Sequence, residues 1–337
     1  MAGGAVRGES AGEPSTGAPP DRRRRRLGWA VALTAVACGL VLAALVVRSF
    51  GREVRELASD VVHLRTGTPA ETQLDPAEFS PGACVAFTPT AGNNGKTVFL
   101  DAGHGGRDPG GVGETETGQT VEESTVNLAI ELDVLSILRA RGYRVVVSRT
   151  ANTSVVRLNA ADVDGNLLSN LGAHDDVVAR DVCANLARAD LLVGIYMDAG
   201  SAAGSVTLYD PDRPFAAANQ TFATVLQKDV LAAMNGQGWQ IPDDGAVSDA
   251  GYGSSVGDPA SGGLAAEAAA YNHLLILGPG QPGYFSTPSE MPGAVIEPLY
   301  LTDPFEGSIA VSPADQRVIA GGIATAVDSY LSPPPKG

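Results

Sequence analysis

The chain has 337 residues, 44% of them hydrophobic, which is enough for one large domain or two ordinary ones with a substantial core. Its formal net charge of −15 is unevenly distributed, because residues 1–27 are basic and the rest is therefore more acidic still. An acidic body argues against nucleic acid as a partner, since such binding needs clustered Lys and Arg, and its simplest consequence is solubility.

The amino-terminal residues divide into a polar tail and an apolar segment. Residues 1–26 are rich in Gly, Pro, Ser and Arg and are predicted to be a disordered, basic, cytoplasmic tail. The uncharged apolar stretch that follows predicts a single transmembrane helix over residues 27–48. A cleaved signal peptide is the alternative, although its apolar core is usually only about 7–15 residues long. The arginines at 22–26 predict a cytoplasmic amino terminus and an extracytoplasmic carboxyl-terminal domain, anchored in the cell membrane.

Beyond this anchor, residues 49–95 are predicted to be a linker, residues 96–332 the folded domain and residues 333–337 a tail. Three cysteines are present. Cys38 lies in the apolar segment, whereas Cys84 and Cys183 fall in the exported part, where an oxidising compartment permits a disulfide. Two buried free thiols are the alternative.

The domain begins with an apolar strand that ends in a glycine-rich loop. The apolar run 98–100 is followed by Asp-Ala-Gly-His-Gly-Gly, which places His104 at the carboxyl edge of a predicted sheet. A tight turn that merely contains a histidine is the simpler interpretation. Apolar residues at three- and four-residue spacing then predict a helix that ends at Gly142, with Glu122 and Glu123 at its amino end. Glutamates are common there because they interact favourably with the helix dipole.

The remaining elements alternate between strands and helices. Strands are predicted at 143–148, 191–195, 205–209 (perhaps antiparallel), 273–277 and 295–301, and helices at 176–189, 215–234 and 315–331. Residues 152–176 are predicted to be a loop with an exposed His174, and residues 235–263 a polar lid or surface loop. The pattern predicts an α/β fold with a mostly parallel twisted sheet and helices on both faces.

Five motifs in this order carry a resemblance to a known family. They are the His104 loop, Glu-x-x-Val-Asn-Leu-Ala-Ile at 123–130, Arg-Gly-Tyr-x-Val-x-x-Ser-Arg-Thr at 141–150, Arg-x-x-x-Ala-Asn-x-x-x-Ala-Asp at 180–190, and Met-Pro-Gly-Ala-Val-Ile-Glu at 291–297. Over residues 97–331 the chain resembles the zinc-dependent N-acetylmuramoyl-L-alanine amidases, the type 3 cell-wall amidases. The resemblance implies zinc as cofactor, peptidoglycan as substrate and a carboxylate that moves protons.

Carried over residue by residue, the resemblance implies that His104 and Glu123 are zinc ligands and that Glu297 is the catalytic glutamate. Tyr196 occupies the position of the family's second zinc histidine. Tyrosine is a poor ligand at neutral pH, because its pKa is about 10. Asp198 is a candidate substitute, since strand periodicity puts it on the same face.

Other residues of the pattern have competing interpretations. His273 and His174 are weaker candidates for the third ligand, and a hydrogen-bonded structural role is favoured for His273. Arg149 and Arg180 occupy arginine positions of the family pattern, where pairing with internal carboxylates is favoured over substrate contact. The Gly-Ser-Ser-Val-Gly segment around Ser255 fits the serine-hydrolase elbow, but a polar loop precedes it where that elbow needs a buried strand.

Two functions follow. The first is a zinc-dependent amidase, a cell-wall hydrolase that cleaves the lactyl-amide bond between N-acetylmuramic acid and L-alanine in peptidoglycan. The alternative is a metal-poor, catalytically weak domain of the same fold that binds peptidoglycan or a cell-wall partner.

Overall fold

The computed structural model describes residues 71–250 and 265–331, which form an α/β fold around an eight-stranded sheet. The sheet strands are β1 (Glu71–Gln73), β2 (Ala83–Phe87), β3 (Thr97–Ala102), β6 (Arg144–Arg149), β9 (Leu191–Ile195), β10 (Ser205–Tyr209), β11 (Asp243–Ser248) and β12 (Gly293–Glu297). Two small hairpins pair β4 (Val112–Glu114) with β5 (Thr120–Glu122) and β7 (Val163–Asp164) with β8 (Leu167–Leu168). The helices are α1 (Glu123–Ala140), α2 (Asn170–Ala187), α3 (Ala216–Asn235), α4 (Ala265–Ala270), α5 (Pro304–Ala310) and α6 (Pro313–Leu331).

The strand order is β1-β2-β6-β3-β9-β12-β10-β11. The four central strands, β6, β3, β9 and β12, are parallel to one another, and β10 pairs with β12 in the antiparallel direction. The mostly parallel centre that the sequence predicts is therefore confirmed. Because β3, β9 and β12 run the same way, their carboxyl ends lie at one edge of the sheet, and the segments that follow them meet there.

Alternating side chains of the central strands feed two separate cores. In β3, Val98 and Leu100 pack in the core that includes α1, α3 and α6, whereas Phe99 packs on the other face with residues of α2. Both faces of these strands are buried, which explains why their sequences are continuous apolar runs rather than alternating ones. The helices on both faces are thus also confirmed.

The predicted linker over residues 49–95 is wrong for its last part. Residues 83–87 form β2, which is buried along its whole length and pairs antiparallel with β6. The strand covers an edge of the parallel sheet, so the domain begins well before residue 96. The earlier part of the predicted linker, like the predicted transmembrane helix at 27–48, lies outside the described residues.

Three further expectations are corrected. Residues 273–277 form turns rather than a strand, and this apolar run is continuous because Leu274 to Leu277 are all buried. Within the predicted loop at 235–263, Asp243–Ser248 forms the edge strand β11, whereas Ser255 lies outside the described residues. α2 begins at Asn170, with the Ser169 hydroxyl accepting from Gly172 N, so His174 lies on a helix and is only 8% exposed.

Among residues 71–250 and 265–331, no helix combines the length and the apolar character that crossing a membrane requires.

A disulfide joins a strand of the sheet to a helix that packs on it. Cys84 of β2 and Cys183 of α2 are bonded, with a Cα–Cα distance of 5.6 Å and a sequence separation of 99. Both cysteines are completely buried in the core between the sheet and α2. The bond therefore ties β2, the strand next to the edge strand β1, to the helix that covers it.

Replacing both bonded cysteines, Cys84→Ala with Cys183→Ala, is expected to lower the free energy of unfolding by about 2–5 kcal/mol, because the closed loop is long. Denaturant unfolding monitored by circular dichroism measures this loss. Cys38→Ala is the control and should leave the value unchanged. A double variant as stable as the parent would show that the bond contributes nothing.

Candidate active site

His104 lies in the loop that follows β3 and has a left-handed backbone, with φ of 61°. Its Nδ1 is 2.7 Å from Asp108 Oδ2, and its Nε2 is 3.3 Å from Glu123 Oε2. Burial opposes protonation, but the Glu123 and Asp108 carboxylates outweigh it and raise the pKa of His104 to about 10. A strained backbone that presents one imidazole nitrogen while a carboxylate holds the other is typical of a functional site.

Glu123 is the first residue of α1 and is 3% exposed. Its Oε2 accepts from Gly111 N at 2.7 Å, and its Oε1 accepts from Met197 N at 3.0 Å and from Asn127 Nδ2 at 3.1 Å. Burial alone would raise its pKa, but His104 and these backbone donors hold the pKa of Glu123 below its ordinary value. The carboxylate is therefore ionised and fixed in place.

Glu297 ends β12 and lines the same cavity as His104 and Glu123, a cavity of about 210 Å³. The three residues are separated by up to 193 positions in the chain, and the parallel strands bring them to one sheet edge. Burial, together with the neighbouring Asp198 carboxylate, raises the pKa of Glu297 to about 8. The cavity thus holds a fixed carboxylate, an imidazole and a carboxyl group that titrates near neutral pH.

Tyr196 follows β9 and also lines this cavity, but its hydroxyl has another partner. The hydroxyl donates to Asp101 Oδ2 at 3.0 Å, and the ring packs so closely on Gly103 that a Cβ there would overlap it. The His104 and Tyr196 rings meet edge to face, with centroids 5.5 Å apart. Burial and the Asp101 carboxylate raise the pKa of Tyr196 well above its ordinary value. The phenol therefore stays protonated and is directed at Asp101.

Arg180 connects the carboxylates and the backbone beneath the His104 loop. Its guanidinium donates to Asp101 Oδ1 at 2.6 Å, to Asp176 Oδ2 at 2.8 Å, and to the carbonyls of Ala102 and His104. This confirms the predicted pairing of Arg180 with internal carboxylates. The same side chain fixes the backbone on both sides of the turn that carries His104.

Arg149 is completely buried and donates to the carbonyl oxygens of Ala102, Gly103, Ser124 and Ala151. These hydrogen bonds all go to the backbone, and the expected pairing with an internal carboxylate is limited to an electrostatic interaction with the buried Glu131. It braces the beginning of the His104 loop against the first turn of α1.

The candidate substitutes for the third ligand have other partners. Asp198 interacts with Glu297 and Tyr300. His174 Nε2 is 2.9 Å from the carbonyl of Tyr284, which is a structural contact. His273 lies against Asp210 and Asp249. These last three form a group of possible metal ligands, because one ligand atom of each lies within 4.8 Å of the others. Among the described residues, His104 belongs to no such group of three His, Cys, Asp or Glu side chains.

Two residues that position the site were missed in the sequence. Asp108 and Asn127 hold His104 and Glu123, and each lies four residues after the side chain it contacts. The spacing of Asn127 is the ordinary one for neighbours on a helix face, so it was available as a signal. Asp108 was not, because its contact depends on the conformation of a loop.

A sequence profile described as N-acetylmuramoyl-L-alanine amidase matches residues 98–329. The chain belongs to the N-acetylmuramoyl-L-alanine amidase family. The resemblance seen in the motifs is therefore confirmed.

Solved amidases share the fold. The CwlD amidase from Clostridioides difficile, in complex with the GerS lipoprotein, is 20% identical with a TM-score of 0.51, covering 70% of this chain and 98% of that one. The N-acetylmuramoyl-L-alanine amidase from Clostridium difficile 630 is 24% identical with a TM-score of 0.48, covering 72% and 100%. Uncharacterized protein YqiI of Bacillus subtilis (strain 168) is 33% identical over 120 residues, 35% of this chain and 46% of that protein. This match spans about half the length of that curated relative.

The family is zinc-dependent, and the site fits that metal in part. His104 Nε2 and Glu123 Oε2 are 3.3 Å apart, about the separation of two ligands on one tetrahedral zinc with bonds of about 2.0–2.1 Å. The Asp108 carboxylate on Nδ1 is the usual support of a zinc-bound histidine. Tyr196, however, gives its hydroxyl to Asp101. The residues present therefore do not complete a set of three protein ligands.

Arg180→Met is expected to lower the free energy of unfolding by about 3–5 kcal/mol, because it leaves two buried carboxylates without their cation. Chemical denaturation measures the change. Arg107→Met is the control, since that side chain is exposed in the same loop, and should change the value by no more than about 0.5 kcal/mol. Equal losses in the two variants would contradict the anchoring role of Arg180.

Proposed function

We propose that the domain hydrolyses the amide bond between the lactyl group of N-acetylmuramic acid and L-alanine in peptidoglycan. The observation that carries the proposal is the meeting of His104, Glu123 and Glu297 in one cavity, at the sheet edge where α/β folds build their sites. The family match over residues 98–329 supports the same reaction.

Glu297 is the candidate catalytic group. A carboxyl that titrates near neutrality can take a proton from the attacking water and return it to the leaving nitrogen. The neighbouring Asp198 carboxylate contributes to the raised pKa of Glu297, because two close carboxylates repel each other. Glu123 and His104 line the same cavity as a pair of possible metal ligands. Asn127 holds Glu123 and Asp108 holds His104 in position.

A second function is favoured by one specific contact. Because the Tyr196 hydroxyl is bonded to Asp101, the cavity offers His104 and Glu123 as a two-residue ligand set. A domain with this set would bind metal weakly. It would then bind peptidoglycan, or a cell-wall partner, with little or no cleavage.

The placement in the cell is also a proposal. We infer that residues 27–48 anchor the chain in the cell membrane, with a cytoplasmic amino terminus and an extracytoplasmic domain. The apolar stretch and the arginines before it support this. So does the Cys84–Cys183 disulfide, since such bonds persist in oxidising compartments.

Glu297→Gln is expected to reduce turnover of purified muropeptide by about 10²–10⁴-fold, because the amide cannot transfer the proton. Release of stem peptide, followed by chromatography, measures it. Glu290→Gln is the control, since this exposed glutamate lies outside the cavity, and should keep the parent rate. If the parent chain binds sacculi and releases no peptide, the binding function replaces the hydrolase.

Tyr196→His is expected to raise zinc affinity at least about tenfold, because it adds an imidazole to the two ligands already in place. Tyr196→Phe is the matched control: it removes the same hydroxyl and adds no ligand, so its affinity should stay at the parent value. Isothermal titration with zinc measures both. Equal affinities in the two variants would show that residue 196 is not at the ligand position.

A further inference from the structure

A second cluster of metal-ligating side chains lies outside the cavity. Asp210 follows β10, Asp249 follows β11, and His273 belongs to the turn segment after α4. One ligand atom of each lies within 4.8 Å of the others. Both carboxylates are fully buried, with 0% exposure. Three segments of the chain therefore converge on one point with two buried negative charges.

Each carboxylate uses one oxygen locally and directs the other at this point. Asp210 Oδ1 accepts from Asp212 N at 2.8 Å, and Asp249 Oδ2 accepts from Leu274 N at 3.0 Å. The other oxygens, Asp210 Oδ2 and Asp249 Oδ1, lie 2.8 Å and 3.7 Å from His273 Nδ1, and among the described residues these three atoms have no further hydrogen-bond partner. Two buried carboxylates that face one another are costly unless a cation, either a metal ion or a protonated imidazole, lies against both of them.

The nearby Arg213 uses its terminal nitrogens on other acceptors. Arg213 donates its terminal nitrogens to the carbonyls of Leu277, Ser289 and Met291. Asp212 is 65% exposed and lies 3.8 Å from His273 Nε2, the nitrogen that faces away from the two buried carboxylates. Nδ1 of His273 and one oxygen of each buried carboxylate therefore face one another on one side of the imidazole.

We propose that Asp210, Asp249 and His273 bind a divalent transition-metal ion, with zinc as the ion to test. An imidazole with two carboxylates suits zinc or manganese, whereas calcium and magnesium prefer oxygen ligands alone. Three protein ligands leave one position for water. The site does not depend on the proposed hydrolase.

The two sites are separate but connected through one segment. Glu297 pairs with Val206, and Asp210 lies four residues further along β10, about 13 Å away at a strand rise of about 3.3 Å per residue. Leu274 and Ile276, directly after His273, line the cavity of His104 and Glu123. A metal bound at His273 would therefore hold a wall of the active-site cavity in place.

The test uses the full chain, freed of metal with a chelator and titrated with zinc chloride. The melting temperature is expected to rise by about 5–10 °C when free zinc is about 100 times the dissociation constant. His104→Ala, which removes a residue of the other cavity, should keep this rise, and so should Asp212→Asn. Asp249→Asn and His273→Gln should lose it.

Cobalt(II) provides a measurement that does not depend on stability. A visible d–d absorption band that persists in His104→Ala and disappears in His273→Gln supports the site. No zinc response in the parent chain would overturn it and would indicate that a protonated His273 acts as counter-ion to the two carboxylates. Equal zinc uptake by His273→Gln and the parent would overturn it as well.

Discussion

The buried guanidinium of Arg180 is the interaction on which the rest of the site depends. It reaches from α2 to the end of β3, where it pairs with Asp101 and holds the carbonyls on both sides of the Gly103 turn. Its second carboxylate, Asp176, accepts a hydrogen bond from Val155 N and thereby also fixes the loop after β6. A buried pair of this kind is costly to break, so the loop of His104 is fixed before any ligand binds. Asp101 of the same network also accepts a hydrogen bond from the Tyr196 hydroxyl, so the interactions that position His104 direct the phenol at a carboxylate.

Sequence patterns were sufficient for the central architecture and for the meeting of the three main residues. Continuous apolar runs at β3, β9 and β12 identify buried parallel strands, and the carboxyl ends of such strands must share an edge. His104 and Glu297 follow from that rule, and Glu123 follows from its place at the start of α1. The direction of the Tyr196 hydroxyl did not follow, because it is decided by Asp101, which lies 95 residues earlier in the chain.

The mistaken secondary-structure assignments, at β2 and at residues 274–277, have a common physical cause. Both segments are buried by distant partners, so their apolar patterns do not reveal which secondary structure they form. β2 has only five residues and follows a Pro-Gly turn, and it is a strand because β6 offers it an edge. The run from Leu274 to Leu277 is as apolar as a strand, yet it is buried as turns beneath the sheet. His273 at its head is fixed by two carboxylates from distant strands. Local sequence carries no record of such partners.

Asp101 holds the Tyr196 hydroxyl, which is therefore not a metal ligand. A crystal structure of the chain grown with zinc, with anomalous data at the zinc edge, tests it most directly. The expected result is a Tyr196 Oη within hydrogen-bond distance of Asp101, and any zinc between His104 and Glu123 without a bond to the phenol. A zinc ion about 2 Å from the Tyr196 oxygen would contradict the account.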